Sequence, residues 1–195
     1  MNSAVELSKQ FDKLKSKMKN SDFQNNAGLS NEVGYYIFSY DARQELTVRS
    51  FIEEFQTSMT IATCGFNIKV FNIYDIMLKI IDRFNYREAF FKMEKEDGLE
   101  EVIKQINNIL EMSENQNVIV KYVLQHLDDQ KNIIFFSGVG QVYPILRAHT
   151  ILNTMSQIID KFPVVMFYPG DYDGLSLKAF GEVLDNNYYR AFSIQ

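Results

Sequence analysis

The residues best equipped for chemistry gather in the last third of the chain. Ser137-Gly138-Val139-Gly140 follows the apolar run 132–136, and Arg147-Ala148-His149 comes shortly after. A second turn, Pro169-Gly170-Asp171-Tyr172-Asp173-Gly174, follows the apolar run 164–168, and Tyr188-Tyr189-Arg190 lies near the end. Paired glycines can let a backbone approach an anion at a helix N-terminus, or simply permit a tight turn after a strand. His149, or Asp41 at the end of an earlier aromatic run, could act as a general base, although such residues more often cap or hydrogen-bond. Tyr and Arg can stack nucleobases or anchor a protein interface, because each joins a large contact area to a polar end.

Tested one by one, the catalytic readings thin out. Ser137 sits in S-G-V-G, which is not the nucleophile elbow G-x-S-x-G. The phosphate-binding pattern G-x-x-x-x-G-K-[ST] is absent, and Tyr143 stands where G-x-G-x-x-G needs its third glycine. His126 and His149 are far apart and Cys64 is remote from both, so no metal-ligand spacing is present. Asp171 and Asp173 suit a solvated turn better than a divalent ion. Neither a catalytic residue, a metal nor a cofactor is expected.

At 195 residues the chain can build one substantial core, and 46% apolar with 23% charged residues is ordinary for a soluble globular protein. Sixteen Phe and eleven Tyr without Trp imply a Phe-rich core with Tyr at its margins. The net charge of −5 is unevenly spread: the first 19 residues are basic, the middle is acidic and the last third is neutral. A duplex-binding protein concentrates basic charge on one face. Here Lys9, Lys13, Lys15, Lys17 and Lys19 wrap around a helix instead, which favours a solvated surface. One cysteine allows no internal disulfide, and no run is apolar enough for a signal peptide or a span of about 18–20 residues. The expectation is a soluble cytoplasmic protein.

These residues need a scaffold, and periodicity predicts one. Helices are expected over 3–18, 43–59, from Asn72 or Asp75 to about 84, and over 86–96, 99–112 and 118–127, with Ser3 as a candidate N-cap. Residues 20–31 read as a polar break and 60–65 as a turn. Strands are expected over 34–40, 66–72, 132–136, 164–168 and 188–194. Pro144 fits the first position of a further helix, and another short helix is expected near 175–184. Alternation of this kind predicts an α/β fold: a mainly parallel sheet of about five strands flanked by helices. The chain reads as a single domain, 1–195, with a helical lobe inserted over about 73–129.

Several segments also carry a family resemblance. The runs 136–144, 147–153, 163–174 and 185–192 resemble the BrxB family of BREX phage-defence systems, and 38–46 with Val48-Arg49 resembles its first strand-to-helix junction. Pro144 agrees with the family pattern, whereas Ala42 stands where Pro is expected. The resemblance implies a small cytoplasmic component of an assembly that contains a methyltransferase, a large ATPase and the phosphatase-like PglZ. PglZ is the partner it favours.

The leading expectation is therefore a non-catalytic interaction or adaptor subunit. Its candidate surface comprises Asp41, Arg49, Gly138, Gly140, Arg147, His149, Gly170, Tyr172, Gly174, Tyr188 and Arg190. The alternatives are a degenerate nucleotide-binding domain and direct DNA or RNA binding.

Overall fold

Leu7, Phe11, Leu14 and Met18 recur at helical spacing and are all buried. They form the inner stripe of α1 (Ala4–Met18), the first element of the computed structural model. The structure describes residues 4–24, 34–113, 117–148, 150–151, 162–173, 176–179, 183–185 and 192–194. After α1 come α2 (Ser21–Gln24), β1 (Tyr35–Tyr40), a 3₁₀ turn (Ala42–Gln44), α3 (Glu45–Ser58), α4 (Ile61–Cys64) and β2 (Asn67–Asn72). Four helices follow: α5 (Ile73–Arg83), α6 (Arg87–Asp97), α7 (Leu99–Ile109) and α8 (Val118–Gln125). Then come β3 (Asn132–Ser137), α9 (Val139–Val142), β4 (Val164–Tyr172), β5 (Leu177–Ala179), β6 (Val183–Asp185) and β7 (Phe192–Ser193).

Five strands lie in the order β2-β3-β4-β1-β7, and every pairing among them is parallel. The α/β expectation holds. Parallel strands covered on both faces need apolar residues at successive positions, and residues 132–136 of β3 are all buried.

Side chains alternate between two cores. Phe38, Ile68, Phe135 and Phe167 join α1 and α3 on one face, while Ile37, Phe71, Phe136 and Met166 join α5 to α9 on the other. Phe167 joins neighbouring strands within the first core, with ring centroids 5.2 Å from Phe38 and 5.0 Å from Phe135.

Four local expectations are corrected. The break over 20–31 contains α2, because Phe23 is buried against Tyr36 at 4.5 Å. The turn at 60–65 contains the single helical turn α4, capped by Thr60 and Thr63 and ended by Gly65 in the left-handed region. Pro144 does not open a helix: Tyr143–Pro144 is a cis peptide within a turn, and helical residues resume at Ala148. Tyr143 is extended (φ −69°, ψ 136°), the conformation favoured ahead of proline.

The fourth correction concerns residues 175–184. Instead of a helix, β4 runs on through Gly170 to Tyr172 and pairs antiparallel with β5, which pairs antiparallel with β6. This register sets Tyr172 opposite Leu177, and both are buried, so the hairpin adds to the core while its backbone pairs. Ser3 and residues 186–191 lie outside the described residues.

Candidate functional site

The parallel register aligns the carboxyl ends of the strands, with Tyr40 opposite Pro169 and Asn72 opposite Ser137. In open α/β sheets this is the edge where ligands and partners are met. At the end of β1, Asp41 accepts hydrogen bonds from the backbone N–H of Arg43 at 2.9 Å and from its Nε at 3.0 Å. Those bonds pull the Asp41 carboxyl down to about 2. Asp41 therefore caps the 3₁₀ turn, and its charge is committed to Arg43. One residue earlier, the buried Tyr40 hydroxyl donates to Glu45 Oε2, and Glu45 Oε1 accepts from Arg49 Nε at 2.8 Å. Burial first, then the Glu45 hydrogen bond, pushes the Tyr40 phenol well above its usual range.

The glycine turn after β3 has a packing role. Gly138 has φ +73°, and a Cβ built there would lie 2.1 Å from Asn72 Oδ1. That oxygen is held in place because it caps α5, accepting from Tyr74 N at 3.0 Å and Asp75 N at 3.2 Å. Val139 and Val142 of α9 are core residues. Gly140, Tyr143, Leu146 and Tyr168 surround a cavity of about 20 Å³, room for about one water and not for a nucleotide. The 138–148 segment is thus packed down onto β4.

The remaining candidates scatter. Arg147 is exposed. Gly170 pairs with Ala179 in the hairpin. Tyr172 is corrected from surface anchor to core residue, at 2% exposure. Asp173 accepts from Ser176 N at 2.7 Å and Ser176 Oγ at 2.9 Å, so it closes the turn. His149, Gly174, Tyr188 and Arg190 lie outside the described residues.

One recess among the described residues was missed by the sequence reading. A cleft of about 590 Å³ lies along β2, bounded by Arg49, Glu53 and Gln56 of α3 on one side and by Asp75 and Lys79 of α5 with Tyr122 and His126 on the other. Its floor is residues 69–72, with Ser137 at the upper end. Of the proposed surface, only Arg49 among the described residues borders it.

At its lower end Lys69 Nζ is 2.8 Å from Asp128 Oδ2, and Asn132 Nδ2 donates to Asp128 Oδ1 at 2.7 Å. The Asn132 bond and then Lys69 hold the Asp128 carboxyl at about 2. Tyr122 and His126 stack at 4.1 Å. A lysine inside the strand Asn67–Asn72 is the signal that was available: charge within a strand marks a sheet edge.

Comparison with known proteins places the chain. The family model for BREX protein BrxB matches residues 69–194. A BREX protein BrxB of Bacillus cereus (strain H3081.97) is 37% identical over 188 residues, covering 96% of this chain and 97% of its own. The chain belongs to the BrxB family. A second BrxB protein, from Escherichia coli O9:H4 (strain HS), is 26% identical over 189 residues, covering 96% of this chain and 91% of its own. No solved structure matches. The BrxB model begins at Lys69 and so takes in the cleft floor, the Gly138 turn and the β4 hairpin. Membership makes the chain a component of a BREX system, consistent with a role in phage defence. Among the described residues, no helix is long and apolar enough to cross a membrane.

Proposed function

We propose that this chain is a non-catalytic interaction subunit of its BREX system that binds another system protein, a PglZ-like protein foremost. BrxB membership across nearly the whole chain carries the reading. The closed Gly138 turn supports it over the nucleotide alternative, since the Asn72 amide packed where a Cβ on Gly138 would stand accounts for the glycine by packing alone. Residues 1–195 act as one α/β domain in this reading, with the helices of 73–129 as a lobe beside β2. The protein works in the cytoplasm beside the other components.

The test is a pull-down of the tagged chain from cells expressing the complete BREX system at physiological salt. Recovery of the PglZ-like protein or another BREX protein is expected. Recovery of none overturns the reading.

A further inference from the structure

β2 is the terminal strand of the sheet among the described residues, and one of its sides meets β3. In a parallel pair, alternate residues turn their N–H and C=O groups towards the neighbour. The bond from Asn67 N to Lys131 O, at 2.9 Å, sets the phase. Backbone groups of Asn67, Lys69 and Phe71 point to β3, and those of Ile68 and Val70, with the N–H of Asn72, point outward; the Asn72 carbonyl is taken up by α5, which Asn72 caps. Val70 and Asn72 border the 590 Å³ cleft. The two walls belong to opposite faces of the sheet, because α3 packs in one core and α5 in the other. Among the described residues the cleft is therefore a slot over a strand edge with no further strand beyond β2, floored by the outward backbone groups of Val70 and the N–H of Asn72.

We infer that this slot receives an extended segment of a partner protein, which adds as a sixth parallel-sheet neighbour alongside β2. The geometry selects a strand, because outward N–H and C=O groups at every second residue are satisfied together by another strand. Charge selects its side chains. Glu53 on the α3 wall and Lys79 on the α5 wall have no side-chain partner among the described residues, whereas Arg49 is held by Glu45 and Lys69 by Asp128. Successive residues of a strand point to opposite faces. The occupant accordingly presents a basic side chain towards Glu53 and an acidic one, a residue away, towards Lys79. Asp75, at the first turn of α5, adds a site for a basic residue at the upper end. Walls of mixed charge disfavour an apolar strand.

The inference rests on the interaction-subunit reading, and the experiment separates the two. The wild-type chain, Val70→Pro, Glu53→Lys and Lys79→Glu are each used as bait in cells expressing the whole BREX system. Proline at position 70 removes an outward N–H and leaves the β3 ladder intact. It should lower recovery of the BREX partner about tenfold, the effect of losing a backbone hydrogen bond and its register. Each charge reversal should lower it as well, and neither touches the backbone should Val70→Pro fold poorly. Hydrogen exchange on the purified complex should show new protection of the Val70 amide.

A BREX protein recovered equally by all four baits, with no change at Val70, overturns the slot alone. No BREX protein recovered by the wild-type chain overturns the subunit reading and the slot with it. Self-association of the purified chain that Val70→Pro abolishes would show a second copy in the slot, and would overturn the assignment to a partner.

Discussion

The side-chain amide of Asn72 occupies the space into which a Cβ on Gly138 would project, its Oδ1 lying 2.1 Å from that point. The same oxygen caps α5 through Tyr74 N and Asp75 N. One contact thus ties the end of β2 to the end of β3 and fixes where α5 begins. It also explains why a glycine follows Ser137 without invoking a bound phosphate.

Gly138→Ala should destabilise the protein by about 2 kcal/mol or more, because it combines positive φ with a steric clash. Asn72→Ala should cost about 1 kcal/mol through the lost cap. The double variant should lose less than the sum, since removing the amide relieves the clash. Urea unfolding of the three variants measures this. Strict additivity would mean that the two side chains do not share the space.

Tyr40→Phe should cost about 1–2 kcal/mol, since it removes a buried hydroxyl that donates to the Glu45 carboxylate. The folded phenol titrates above its unfolded value. Its contribution is therefore complete below about pH 10 and declines as pH rises beyond that. Wild-type stability should fall in alkali more steeply than that of the variant. Parallel curves would show that Tyr40 ionises normally.

Asp128 supplies the opposite pH signature. Its folded value of about 2 lies below the ordinary carboxylate range. The stabilisation is present in full above about pH 4 and is lost as pH falls towards 2. Asp128→Asn should flatten that part of the acid limb in urea midpoints recorded against pH. An unchanged limb would place the acid sensitivity elsewhere.

Phe167→Ala should be among the most damaging single changes, at about 3–5 kcal/mol. Phe167 is 1% exposed and its ring contacts those of Phe11, Phe38 and Phe135. Phe91→Ala serves as the comparison, because Phe91 is half-exposed and should change stability little. Differential scanning calorimetry of the pair checks the contrast.

Much of the scaffold was legible locally. The spacing of Leu7, Phe11, Leu14 and Met18 encodes α1, the unbroken apolar run of β3 encodes a doubly buried strand, and of the two possible starts Asn72 and Asp75 it is Asn72 that caps α5. The helix expected near 175–184 failed because Tyr172 and Leu177 are brought face to face by strand register, which periodicity over one segment does not specify. Pro144 failed similarly: its ring suits either a helix start or a turn, and packing of the 138–148 segment against β4 chose the turn.

Of the proposed surface, Asp41 and Gly138 sit at strand ends as their types suggest, and Tyr172 lies in the core. The cleft escaped detection because its walls come from α3, β2, α5 and the Tyr122–His126 pair, remote in sequence and individually unremarkable.

The sequence alone determined the alternation of helices and strands, the apolar faces that make two cores, and the segments that place the chain among BrxB proteins. Those properties reside in residue types at short spacing. Tertiary structure decided that β2 is the terminal strand among the described residues, that Asn72 fills the Gly138 turn, and that Glu53 and Lys79 line one cleft. Each depends on strand order and register, which arise when distant segments bury their apolar faces together.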